Sequence, residues 1–261
     1  MLILYEHPLS PYAQKIKIAL REKGIDFELR LPDAIGSGQS PVEFMAANPR
    51  GEVPVLFDGN EALFDSTIIL EYIEDKWPSP SLRAPSPLLQ ARARLIEEVM
   101  DSHYEPINWG LGEISFFKRA EGALKETIER NAARQVRSFQ SWLTRQLGAN
   151  SWMTGADFGW ADLSVVPYLN GSAGFGLGPA DDSPLGEWLA RANARPAVAK
   201  TAQEAAASIA GMETAAAAVE SGLFKREYRD HRLEWMIKTG GLDVVLKGLE
   251  NDNIRFTGEF S

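Results

Sequence analysis

Within ten residues the chain carries Pro78, Pro80, Pro85 and Pro87, and neither a helix nor a central strand continues through such a run. The pattern of apolar residues differs on its two sides. Residues 1–77 switch between the two-residue period of strands and the 3.6-residue period of helices, whereas the helical period persists over most of the chain beyond residue 87. Residues 78–87 therefore read as a linker between a small α/β domain and an all-helical one.

On the N-terminal side, Leu2-Ile3-Leu4-Tyr5 predicts a strand. Ser10-Pro11 opens a helix with Tyr12, Ile16, Ala19 and Leu20 on its apolar face; Lys15, Lys17, Arg21 and Lys23 are expected on its polar side, and Gly24 at its end. Residues 27–31 alternate as a second strand, and residues 41–47 read as a short helix. Residues 53–57, the turn Asp58-Gly59-Asn60 and residues 61–64 make a hairpin, after which Asp65-Ser66 caps a helix bearing Ile68, Ile69, Tyr72, Ile73 and Trp77. The order is β-α-β-α-β-β-α. Its first strand pair is parallel, because the crossover is a helix, and its last is antiparallel.

Beyond the linker, residues 88–117 and 119–147 predict long amphipathic helices, with Gly110 and Gly112 expected to bend or open the first. Shorter helical stretches at 160–169 and 185–192 and an Ala-rich one at 197–219 come next. The helical domain is placed over 88–210. Residues 211–261 read as a helical extension whose two last helices are separated by Gly240-Gly241, and whose apolar residues suit a lid or a contact with a partner subunit.

Composition removes several functions. With 36 acidic against 27 basic residues and a net charge of -9, the chain suits neither nucleic acid nor an anionic membrane surface. Its apolar runs fall well short of the roughly 20 residues that cross a bilayer. Glu6 and Pro8 come too soon after the first apolar residues for a secretory signal, so a cytoplasmic location is expected. The absence of cysteine excludes disulfides, thiolate metal sites and a cysteine nucleophile, and His7, His103 and His231 lack metal-ligand spacing, so no metal is expected. Any thiol used here must arrive on a ligand.

Four motifs carry a resemblance. Ser10-Pro11-Tyr12 resembles the S/C-P-F/Y start of the tau, omega and zeta classes of cytosolic glutathione transferases; residues 48–56, Asn-Pro-Arg-Gly-Glu-Val-Pro-Val-Leu, resemble the N-P-x-x-x-V-P-x-L segment of that superfamily. Asp65-Ser66-Thr67-Ile68-Ile69-Leu70-Glu71-Tyr72-Ile73 resembles its E/D-S-x-x-I-x-x-Y-L/I helix start, and residues 155–162 its G-x-x-x-S/T-x-A-D segment. Together with the linker, the resemblance covers residues 1–208. It implies a thioredoxin-like N-terminal domain that binds glutathione, an all-helical second domain, and a homodimer acting in detoxification.

The resemblance also assigns roles. Ser10 has a local reading, an N-cap followed by proline at the first helical position. It has a chemical one too: its hydroxyl would donate to the glutathione thiolate beside a helix N-terminus that favours the anion. Val53-Pro54, cis by resemblance, would offer the Val53 backbone to the cysteinyl part of glutathione like an added strand, or else begin an edge strand. Asp65 and Ser66 would hold the γ-glutamyl ammonium and carboxylate, or simply cap their helix. Gln39 aligns near the glycyl carboxylate. Glu52 departs from the Lys or Gln of relatives and would repel that carboxylate if it points inward, with Arg50 as a compensating charge. Gly159 stands where relatives have a Ser or Thr cap, a difference of a few tenths of a kcal/mol, and Asp162 reads as a buried structural residue. Tyr12, Tyr104, Trp109 and Phe116 are candidates for the pocket of a small hydrophobic electrophile, against the plain alternative that aromatic residues at helical spacing pack in a core. Serine in place of cysteine points to conjugation, substitution or ether cleavage rather than thiol exchange. A glutathione-binding interaction protein and a glutathione-dependent lyase or isomerase are the alternatives.

Overall fold

The computed structural model describes residues 1–33, 42–224, 226, 228 and 230–254. Four strands, β1 (Leu2–Tyr5), β2 (Phe27–Arg30), β3 (Val55–Asp58) and β4 (Glu61–Phe64), form one mixed sheet in the order β2-β1-β3-β4. β1 and β2 are parallel, while β1–β3 and β3–β4 are antiparallel. Helix α1 (Pro11–Glu22) makes the crossover, α2 (Val42–Ala47) precedes β3, and α3 (Ser66–Lys76) comes after β4. This is the thioredoxin-like arrangement. Gln39 lies outside the described residues.

The helical half comprises α4 (Pro87–Val99), a π-helical turn (Met100–Tyr104), α5 (Glu105–Ser115), α6 (Gly122–Leu147), α7 (Trp160–Gly174), α8 (Pro184–Asn193), α9 (Pro196–Ile209), α10 (Ala215–Glu220), α11 (His231–Lys238) and α12 (Leu242–Glu250). Helix α7 is buried on nearly every side and packs against α1, α4, α8 and α9, so it is the hub of this half. One continuous apolar cluster runs from Leu4, Ile16, Leu56 and Ile69 under the sheet to Tyr104, Phe139, Trp160 and Trp188 among the helices.

Two expectations from the sequence fail in the fold. The lysines of α1 do not face water: Lys15 and Lys17 are 0% exposed. α1 is covered by α3 on one side and by α7 and α9 on the other, so its polar stripe becomes the seam between the sheet and the helices beyond it, where each ammonium meets carboxylates. Gly110 and Gly112 do not interrupt their helix either. α5 runs through both, and the irregularity falls earlier, in the π turn before Pro106. Proline offers no N–H to the carbonyl of Ser102, and the Glu105 N–H reaches back to Met100 instead.

Beyond α9, Phe224, Arg226 and Tyr228 lie across α5. The Phe224 ring stacks on Phe117 at 5.9 Å, and the Tyr228 ring meets Trp109 edge-on at 4.6 Å. Arg226 stands over Phe117 at 3.9 Å and over Trp109 at 5.1 Å, with Nε 2.5 Å from Glu113. α11 and α12 pack on one another and leave Trp235, Val244 and Leu249 exposed.

Candidate active site

Strand register gathers the predicted residues at one end of the sheet. Tyr5 pairs with Val55, and Val55 pairs with Phe64. The chain therefore leaves β1 toward Ser10, enters β3 from Val53-Pro54, and leaves β4 into Asp65-Ser66, all at the same end. The Val53–Pro54 peptide is cis, and Pro54 is buried. Tyr5 packs within the domain, its ring 5.6 Å from both Phe44 and Phe57.

Ser10 is the N-cap of α1: its Oγ accepts the Ala13 N–H at 3.3 Å and its carbonyl accepts the Gln14 N–H at 2.9 Å. The cap uses a lone pair and leaves the hydroxyl proton available to a second partner. A half-exposed hydroxyl that donates at the positive end of a twelve-residue helix is suited to stabilising an anion.

Asp65 caps α3. Its Oδ1 accepts the Thr67 N–H at 3.0 Å and the Ile68 N–H at 3.4 Å, while Oδ2 lies 3.6 Å from Arg50. Its φ of 76° is unfavourable for a residue with a Cβ, at a cost of about 1–3 kcal/mol, and such departures concentrate at ligand-holding positions. At 41% side-chain exposure, Asp65 stays open to solvent. Ser66, the first residue of α3, is buried. Arg50 thus leans toward Asp65 and over the Phe64 ring at 5.3 Å, so the charge expected to balance Glu52 serves Asp65. The Glu52 carbonyl accepts a hydrogen bond from Asn48 Nδ2 at 2.8 Å.

The four aromatic residues separate. Tyr104 is wholly buried, with its hydroxyl 2.8 Å from Ser172 Oγ and its ring 5.2 Å from Phe139; burial drives its hydroxyl pKa far above the usual value. A ring with no exposed surface belongs to the core, which corrects its placement on a pocket wall. Trp109 is half-buried under Tyr228 and Arg226, and Phe116 lies 5.9 Å from Phe175. Tyr12 reaches from α1 to the helical half, donating to the Asp101 carbonyl at 2.9 Å with its ring 6.4 Å from Tyr168. A cleft of about 440 Å³ opens at the far end of α1, lined by Glu22, Leu82, Trp152, Phe158 and Arg195, away from Ser10.

Beneath these residues lies an ionic cluster that periodicity did not reveal. Lys15 Nζ is 2.9 Å from Glu97 Oε1 and 2.6 Å from Asp101 Oδ2. Glu97 also accepts from Thr67 Oγ1 at 3.0 Å and from Trp160 Nε1 at 2.5 Å, and Asp101 from the Tyr168 hydroxyl at 2.7 Å. Burial pulls the Lys15 pKa down, but the Asp101 and Glu97 charges outweigh it, and the ammonium is held above its ordinary value. Burial raises Asp101, against the opposing pull of Lys15 and with the further push of Glu97. Thr67 ties the first turn of α3 to Glu97 on α4, and Tyr12 ties the first turn of α1 to Asp101 in the π turn that follows. The available signal was Glu97 and Asp101, four residues apart on one helical face.

Asp162 is the buried structural residue expected. Its carboxylate accepts the Met153 N–H at 2.9 Å, the Trp188 Nε1–H at 2.8 Å and the Gly159 N–H at 3.1 Å, and burial pushes its pKa up to about 6. Gly159 is demanded by crowding, for a Cβ there would sit 2.7 Å from the Leu82 carbonyl. Among the described residues no helix is long and apolar enough to cross a membrane, and no group of three or more metal-ligating side chains gathers.

The fold and site together define a thioredoxin-like domain with a serine-capped first helix, a cis-proline before the third strand and an acid-capped third helix. Comparison with known proteins names the family. Residues 4–81 match the glutathione S-transferase N-terminal domain. The chain is 30% identical to glutathione S-transferase 3 of Zea mays over 203 residues, 76% of this chain and 91% of that protein. It is 29% identical to the maleylacetoacetate isomerase of Pseudomonas aeruginosa over 178 residues, 67% and 82% of the two. The solved structure of a glutathione S-transferase from Methylobacterium radiotolerans in complex with glutathione sulfonate matches with a TM-score of 0.65 and 26% identity, covering 77% of this chain and 94% of that one. The chain belongs to the cytosolic glutathione S-transferase superfamily.

Proposed function

We propose that the protein is a glutathione-dependent transferase in which Ser10 stabilises the glutathione thiolate for attack on a small apolar or aromatic electrophile. The observation that carries this reading is the Ser10 hydroxyl, capping Ala13 with a lone pair while its proton remains free to donate at the N-terminus of α1. Val53 would pair with the tripeptide backbone, the open carboxylate of Asp65 would take the γ-glutamyl ammonium, and the N-terminus of α3 at Ser66 its carboxylate. With no cysteine in the chain, mixed-disulfide exchange through the protein is closed, which favours conjugation, substitution or ether cleavage. Exposed Ile68, Leu88 and Leu95 on α3 and α4 support a homodimer, which light scattering would measure.

Ser10→Gly tests the assignment, because glycine replaces serine at an N-cap for only a few tenths of a kcal/mol and removes the hydroxyl. With a chloronitrobenzene acceptor, kcat/KM should fall about 100-fold, on the scale of losing one donor to a developing anion, while the melting temperature stays close to wild type. Equal rates for the two proteins would remove Ser10 from the chemistry. The similarity to an isomerase supports a second reading, in which glutathione is used and regenerated. Counting glutathione consumed per product decides between them.

A further inference from the structure

The turn that leads from β1 to Ser10 is held by a side chain that the proposed chemistry does not use. His7 Nδ1 accepts the Leu9 N–H at 3.2 Å, and the His7 carbonyl accepts the Ser10 N–H at 2.8 Å. Pro8 between them has no N–H, and its carbonyl accepts Gln14 Nε2 from α1 at 2.8 Å. One residue therefore holds both N–H groups that define where Ser10 sits. The imidazole half of that grip exists only in the neutral ring with its proton on Nε2, since a protonated ring has no acceptor nitrogen.

Burial and the Lys17 charge oppose protonation of His7. Lys17 on α1 is wholly buried, its ammonium 3.0 Å from Glu6 at the end of β1 and 3.0 Å from Glu204 on α9, while Arg21 on α1 reaches Glu204 at 2.5 Å. Partial burial first, and the Lys17 charge second, set the His7 pKa below the ordinary value of 6.5. The neutral ring is thus the resting state at neutral pH.

We propose that His7 is a positioning residue for Ser10: the neutral imidazole locks the turn that presents the hydroxyl, and taking up one solvent proton at Nδ1 releases it. Only the effect on turnover rests on the role given to Ser10 above. The lowered pKa sets the sign. The unfolded chain takes up this proton first as pH falls, so the stability supplied by the neutral ring is complete above about 6.5 and drains away as pH drops through the lower native value.

Two variants separate the contributions. His7→Asn keeps a side-chain oxygen able to accept the Leu9 N–H and cannot titrate, whereas His7→Ala removes the acceptor. Amide exchange measured by NMR should show Leu9 protection reduced about tenfold in His7→Ala and within about threefold of wild type in His7→Asn, the scale of one hydrogen bond. In wild type, Leu9 protection should fall as pH drops through the His7 pKa, and in His7→Asn it should not. The acid limb of kcat/KM should be steeper in wild type than in His7→Asn by one ionisation. Unchanged Leu9 protection in His7→Ala, a proton on Nδ1 at neutral pH in the imidazole ¹⁵N shifts, or titration at or above 6.5 would overturn the proposal. Should His7→Ala fail to fold, the wild-type titration and His7→Asn carry the same test. The expected exchange behaviour in a protein without turnover would sink the proposed function alone and leave the lock standing.

Discussion

Replacing Lys15 by methionine should unsettle the molecule more than its exterior-looking position in the sequence suggests. The ammonium is 0% exposed and faces two carboxylates at 2.9 and 2.6 Å. Methionine keeps much of the lysine stem's packing and deletes the charge. At an effective dielectric constant of about 20, each contact represents roughly 6 kcal/mol of Coulomb attraction, much of which offsets the desolvation of the ions. Removing one partner of a buried cluster typically costs about 3–5 kcal/mol, because the remaining charges are stranded. Asp101, already raised by burial, would respond by taking up a proton, which places the expected loss near 3 kcal/mol at pH 7. Urea denaturation measures it as a lower midpoint with an unchanged slope. The sign of the pH dependence is a second check. In the variant the native carboxylates bind protons at higher pH than the unfolded chain does, so the deficit should shrink between pH 7 and pH 5. A loss below about 1 kcal/mol at pH 7, or one equal at both pH values, would refute the claim that the cluster is a buried, ionised one.

Gly159→Ser supplies the hydroxyl cap that the sequence resemblance implies, yet it should destabilise by about 1–3 kcal/mol, because the added Cβ meets the Leu82 carbonyl at 2.7 Å. A rise in melting temperature would show that the linker yields. Arg226→Ala deletes the guanidinium from between Trp109, Phe117 and Phe224 and leaves Glu113 with Arg119 at 3.0 Å. Limited proteolysis should then cut within residues 215–254 several-fold faster, with the melting of the remainder little changed; equal cutting rates would mean that the tail is anchored elsewhere.

What could be read from the residues was local. Ser10 and Asp65 cap their helices as their types dictate, the hairpin around Gly59 closes where its turn residues stand, and four prolines mark the passage into helices. Motifs at those places sufficed to point to the superfamily. Aromatic spacing was ambiguous by nature: Tyr104 and Trp109 share a stretch of sequence, yet one is sealed in the core and the other lies beneath the tail.

Local propensity and pattern, acting over a few residues, were enough to set the strands, the caps and the boundary between two unlike halves. Covering decided the rest. Lys15 and Lys17 alternate with apolar residues as any solvated stripe would, and they become buried ions because α7 and α9, some 150 residues or more further along, close over α1. Gly159 looks like a mildly weaker cap until the linker is laid against it. The energy of a charge or a Cβ depends on what surrounds it, and those surroundings exist only once distant segments have met.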